Sequence, residues 1–155
     1  MSTVSRLIEH AFTKLRERPG FVDRPDQQQL ALLLSDMIEG PSTGAIEAPT
    51  GLGKSLAALI PAIAHALASN KRTVIATYTN VLAEQYWRKD LPLALSLFTD
   101  LQPDLYELKP AFLIGRQRYA CLTSMYEHVP EWVSPFQFNA ELGIETEFRS
   151  ILPLK

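Results

Sequence analysis

The sequence predicts an α/β fold, a parallel sheet flanked by helices, and three features predict it. A glycine-rich loop, Glu47-Ala48-Pro49-Thr50-Gly51-Leu52-Gly53-Lys54-Ser55, stands between the short apolar run Gly44-Ala45-Ile46 and the helix-forming run Leu56-Ala57-Ala58-Leu59-Ile60. Thr73-Val74-Ile75-Ala76-Thr77 is β-branched and apolar, the pattern of a buried parallel strand. Ala111-Phe112-Leu113-Ile114 reads as a third strand. Strands near residues 43–47, 73–77 and 111–114, with helical stretches between them, suit parallel strand–helix–strand order.

Each element has a local reason. Residues 3–18 form a helix, because Val4, Leu7, Ile8, Ala11, Phe12 and Leu15 recur at three- and four-residue steps. Ser2 or Thr3 caps it and Pro19-Gly20 ends it. His10 beside this stripe reads as an ordinary surface histidine. A second helix carries Leu30, Leu33, Leu34, Met37 and Ile38 at helical spacing and stops at Gly40-Pro41. The helix after the loop runs to about Ala68 and is apolar nearly all round, with Pro61 expected to kink it. His65 packs there without catalytic duty. Thr79 starts a helix holding Leu82, Glu84, Gln85 and Trp87, closed by Lys89-Asp90-Leu91-Pro92. Residues 122–155 show no sustained period and read as irregular or partly helical.

The loop has the spacing of a P-loop (Walker A), with Ala48 in place of the usual first glycine. Gly51 and Gly53 free the backbone to point successive N–H groups at phosphate oxygens, and the helix opening at Gly53-Lys54-Ser55 adds the positive end of its dipole. Ala48, Pro49, Thr50, Gly51, Leu52 and Gly53 thus form the cradle. Lys54 reaches the β- and γ-phosphates, and the Ser55 hydroxyl ligates the accompanying magnesium ion. Gln27, upstream of the loop, either forms part of a polar helix start or reads an adenine edge through its amide. Thr77 and Thr79 lie at a strand end, where ligands of open α/β sheets bind. Thr79 is an N-cap, a phosphate contact for a nucleic-acid strand, or both, with Gln85 a further polar contact.

Composition bounds the rest. The 155 residues fit one domain, small for a complete P-loop motor. Lys and Arg total 15 against 17 Asp and Glu, so no general basic coat addresses nucleic acid and any such contact is local. One cysteine, Cys121, excludes an internal disulfide and suits a reducing compartment. No apolar run spans a bilayer, and the N-terminus lacks a signal-peptide pattern, so a cytoplasmic protein without membrane partners is expected. Glu127-His128 lacks a third ligand at any metal-site spacing.

Four stretches together resemble the DinG/XPD-type superfamily-two DNA helicases. Arg24-Pro25-Asp26-Gln27 resembles their Q motif, Glu47 to Ser55 their motif I, and Val74 to Asn80 with Leu82, Gln85 and Lys89-Asp90-Leu91-Pro92 their motif Ia. Gly115-Arg116-Gln117-Arg118-Tyr119-Ala120-Cys121 is similar to the entry into their iron–sulfur domain, with Arg118 where asparagine is frequent. The resemblance implies a RecA-like P-loop NTPase domain, incomplete in this chain. It also implies ATP and Mg2+ as cofactors and 5′–3′ translocation on single-stranded DNA. By the same resemblance Arg24 and Gln27 join the nucleotide site, Thr77, Thr79, Asn80 and Gln85 contact DNA, and Cys121 is the first of four cluster ligands.

With a single cysteine, an iron–sulfur cluster forms only with cysteines beyond this chain. The sequence also has no Asp-Glu-x-His motif and no second motor domain. The expectation is therefore the N-terminal part of motor domain 1 over residues 1–121, with a truncated insertion over 122–155, and the remainder of the helicase as partner. The pathway is open between repair, replication and plasmid defence. Alternatives are a CRISPR-associated DinG-like helicase without the cluster, a stand-alone nucleotide- or DNA-binding module without hydrolysis, and a small P-loop kinase. A sheet without the strand of the absent aspartate motif is expected to leave apolar surface uncovered.

Overall fold

In the computed structural model, which describes residues 2–40, 42–101, 108–115 and 118–119, Ser2 opens the first helix. Its hydroxyl accepts the Ser5 amide at 3.1 Å, and α1 runs Thr3–Arg16 with Lys14 and Arg16 at its negative end. Val4, Ile8, Ala11, Phe12 and Leu15 are buried along one face, as the spacing predicts, while Leu7 is half-buried. The chain then turns at Gly20, whose φ of +76° is a left-handed conformation.

Helix α2 spans Pro25–Glu39, with proline in the first turn, where its missing N–H costs nothing, and the Gly40 amide closing onto the Asp36 carbonyl at 3.1 Å. Its buried face is not the leucine stripe. Gln27, Ala31 and Ser35 are buried, whereas Leu33 is 47% exposed. Small side chains at four-residue steps let α2 lie close against α3, and that approach turns the bulkier leucines sideways.

Helix α3, Lys54–Ser69, continues through Pro61 and ends at Asn70, which takes the left-handed φ of 53° common after a helix. It supplies Ala57, Leu59, Ile60, Ile63 and Ala64 to the core, where they meet Ile8, Phe12 and Leu15 of α1. Helix α4, Asn80–Gln85, passes into a π-helical turn, Tyr86–Asp90, and then α5, Leu91–Ser96. The widened turn has its cause in Pro92, which donates no hydrogen bond and whose ring crowds the carbonyl four residues back, at Arg88. The Leu91 amide accordingly reaches the Tyr86 carbonyl, five residues back. Beyond α5, Ala94, Leu97 and Phe98 close the core.

Ion pairs finish the rim of this body. Asp100 accepts from His10 at 2.9 Å and pairs with Lys14 at 3.0 Å, and these partners hold its carboxyl down at about 2. Arg16 pairs with Asp23 at 3.2 Å.

Among the described residues no strand forms, so the expected sheet is absent there. Residues 43–47, 73–77 and 111–114 are irregular, with Val74 87% exposed. A strand's N–H and C=O groups point sideways and need a partner strand, and among the described residues none of these stretches is in a ladder. The helices have no such need.

Two compact units divide the chain, Met1–Phe112 and Leu113–Lys155. The helices and ion pairs above belong to the first. In the second, the Ile114 amide donates to the Tyr119 hydroxyl at 3.1 Å, and the Arg118 amide to the Gly115 carbonyl at 2.8 Å. Cys121 and residues 122–155, including Glu127-His128, lie outside the described residues.

Candidate functional site

The loop ahead of α3 is built by its glycines. Gly51 has φ +84° with open space where a side chain would stand, and Gly53 has φ +88° directly before the first residue of α3. These left-handed positions fold residues 48–53 back over the start of the helix. The first intrahelical bond runs from the Ala57 amide to the Gly53 carbonyl at 3.1 Å, so the amides of Lys54, Ser55 and Leu56 have no acceptor within α3. That is the donor set an anion needs, together with the helix dipole.

Lys54 is exposed and arches over its own loop. Its ammonium donates to the Ala48 carbonyl at 2.8 Å and the Pro49 carbonyl at 3.2 Å. Gln27 approaches from the other side. It is 1% exposed, its Nε2 donates to the Gly53 carbonyl at 2.9 Å, and its Oε1 has no partner. Arg24 is exposed at the start of α2 without capping it. Sequence reasoning places Gln27 near the nucleotide, but the contact with Gly53 has no sequence signature.

A hollow of about 320 Å³ flanks the loop. Asp26, Gln29, Leu30 and Leu33 of α2 line one side; Ile46, Glu47, Ala48, Pro49 and Leu52 line the other. Of the two α2 leucines, Leu33 is exposed, while Leu30 also packs against the core.

The second predicted group sits on residues 77–85. Thr79 is the N-cap of α4, its Oγ1 accepting the Leu82 amide at 3.3 Å, while Thr77 Oγ1 donates to the Thr79 carbonyl at 3.1 Å. Thr79, Asn80 and Gln85 are exposed and Thr77 is half-buried, so this shelf faces solvent beside the fully exposed Tyr78. The Gln85 amide donates to Asp90 Oδ2 at 3.1 Å. Sequence reasoning placed buried Asp90 only in the stretch that closes the helix and in the motif Ia resemblance; its pairing with Gln85 follows from the five-residue interval that a π-helical turn stacks on one face. Trp87 stacks on Phe112 at 5.6 Å between ring centroids.

Among the described residues no cluster of acids, histidines or cysteines could hold a metal ion, and no helix is long and apolar enough to cross a membrane.

With that geometry in view, comparison with known proteins gives a consistent result. Residues 24–91 match the DEAD/DEAH box helicase family, a stretch that holds Gln27, the whole loop and the threonine shelf. The ATP-dependent DNA helicase DinG of Escherichia coli (strain K12) is 39% identical over 105 residues, 66% of this chain and 14% of that protein. The helicase of the same name from Salmonella typhimurium gives the same identity over the same length. The 3′-5′ exonuclease DinG of Bacillus subtilis is 35% identical over 104 residues, 67% of this chain and 10% of its own length. The chain thus spans a small fraction of the relatives it matches. No solved structure matches it significantly. The family carries the RecA-like α/β class of fold and uses ATP with magnesium. The chain is thus similar to the DEAD/DEAH box helicases over residues 24–91, and together the comparisons support the N-terminal portion of a DinG-type helicase.

Proposed function

We propose that the complete protein is a cytoplasmic ATP-driven helicase moving 5′ to 3′ on single-stranded DNA, and that this chain supplies the nucleotide-binding half of one motor domain. The supporting observation is the pair of left-handed glycines ahead of α3, together with the amides of residues 54–56, which have no acceptor within the helix. Lys54 exchanges its two loop carbonyls for the β- and γ-phosphates, and Ser55 ligates magnesium. Arg24 and Gln27 complete the nucleotide end. Thr77, Thr79, Asn80 and Gln85 meet the DNA backbone, consistent with the exposure of Thr79, Asn80 and Gln85 on one short segment beside half-buried Thr77. Cys121 becomes an iron–sulfur ligand only with cysteines supplied from outside this chain. The name of the Bacillus relative points to an exonuclease, but the helicase-family match covers the loop itself, and the reading follows that match.

The test is titration of the 155-residue chain with a fluorescent ATP analogue. Saturable, magnesium-dependent binding with almost no hydrolysis is expected, and Lys54→Ala should weaken it about ten- to a hundredfold, the worth of a charged hydrogen-bond donor. Binding that ignores magnesium and survives Lys54→Ala would overturn the reading. Photocrosslinking of single-stranded DNA to the peptide bearing Thr77 and Thr79 tests the second half.

A further inference from the structure

Gln27 is a long polar side chain taken out of water, with only one half of its amide satisfied. The satisfied half fixes which way round the amide sits, since an oxygen placed against the Gly53 carbonyl would face another oxygen. That carbonyl is doubly held. It accepts Gln27 Nε2 at 2.9 Å from outside the helix and the Ala57 amide at 3.1 Å along it, which occupies both lone pairs. A methyl group added to Gly53 would run into the same Gln27 amide.

The Gly53 carbonyl and the Lys54 N–H belong to one planar trans peptide and point in opposite directions. Whatever anchors that carbonyl therefore aims the Lys54 amide. The helix bond from Ala57 fixes one direction only; the bond from Gln27 fixes the rotation of the peptide plane about it. The orphaned Oε1 is the cost of keeping the nitrogen there.

We propose that Gln27 is a positioning residue for the phosphate chain. By clamping the Gly53–Lys54 peptide it aims the first amide of α3 into the cradle, and it strengthens anion binding even when no base is present. The inference rests on the reading of the loop as a phosphate site and adds to it a role separate from contact with a nucleobase.

A base-free probe separates the two roles. Isothermal titration of the 155-residue chain with magnesium tripolyphosphate should show binding, and Gln27→Met, which keeps the volume and loses the donor, should weaken it about tenfold. In the ligand-free chain the same variant should speed hydrogen exchange of the Lys54 and Ser55 amides and leave the Ile8 amide unchanged. Gln27→Glu supplies a rescue readout. Its carboxylate repels the Gly53 carbonyl at neutral pH, but the protonated acid can donate to it, so the wild-type-to-variant affinity ratio should shrink as pH falls. If wild type binds tripolyphosphate and Gln27→Met binds equally well, the positioning role is wrong and the phosphate site stands. If wild type does not bind it, the phosphate site falls and the inference with it.

Discussion

Helix α3 and the stretch just after it make an instructive pair. Both are apolar, and both are joined by the turn at Asn70. Yet Ile60 of α3 is fully buried, whereas Val74 is 87% exposed. Hydropathy alone does not distinguish them. A helix closes its hydrogen bonds within its own segment and needs one neighbour for its apolar face. A strand borrows every hydrogen bond from another stretch of chain, and until that stretch is alongside, β-branched residues gain nothing by being next to one another. The buried core of the helical body therefore comes from residues 4–98, while the segments that a RecA-like sheet would use form no strand among the described residues.

The sharpest way to break this contrast is to delete the same kind of side chain from each region. Ile60→Ala removes fully buried methyl groups between α1 and α3 and should cost about 2–5 kcal/mol in urea unfolding. Val74→Ala should change stability by no more than about 0.5 kcal/mol, because its side chain touches little but water. Comparable losses at the two sites would mean that residues 73–77 pack as a strand after all.

The same contrast explains what could be read in advance. The α1 stripe, the glycine turns of the loop before α3 and the Thr79 cap are written in residues a few positions apart, and the structure has each of them. In α2 the periodic leucines gave the helix correctly, but not that Gln27, Ala31 and Ser35 would be its buried residues, since small Ala31 and Ser35 admit a closer approach than any leucine could. The π-helical turn follows from Pro92, yet the pairing of Gln85 with Asp90 becomes visible only once that turn is known. Gln27 on Gly53 joins residues 26 positions apart, and nothing local specifies it. Legibility fell with the sequence distance between partners.

A smaller effect separates two glycines with the same backbone need. Gly20 and Gly53 both have left-handed φ, at +76° and +88°, but an added methyl group meets open space at the first and the Gln27 amide at the second. Gly20→Ala should cost about 1 kcal/mol, the conformational penalty alone. Gly53→Ala should cost about 1–2 kcal/mol more, from overlap with a buried side chain. In a Gln27→Ala background that excess should vanish. An excess that persists would place the constraint on Gly53 somewhere other than Gln27.

The smallest expected effect lies at the exposed rim, where the helical body is held by charge instead of burial. Asp100 is depressed from 3.8 to about 2, first by its hydrogen bond from Lys14 and then by that from His10. A carboxyl whose folded value is depressed adds stability above its unfolded value and loses it as pH falls through the folded one, so the window is pH 3.8 down to about 2. Lys14 is raised above 10.5, chiefly by the same hydrogen bond, so its contribution is complete below that pH and is lost only in stronger alkali. Asp100→Asn should therefore lower Tm slightly at pH 5 to 7, on the order of one degree, with the gap to wild type closing near pH 2 and shrinking in high salt. A gap that stays constant from pH 7 to pH 2 would show that Asp100 holds α1 to the end of the body by geometry rather than by charge.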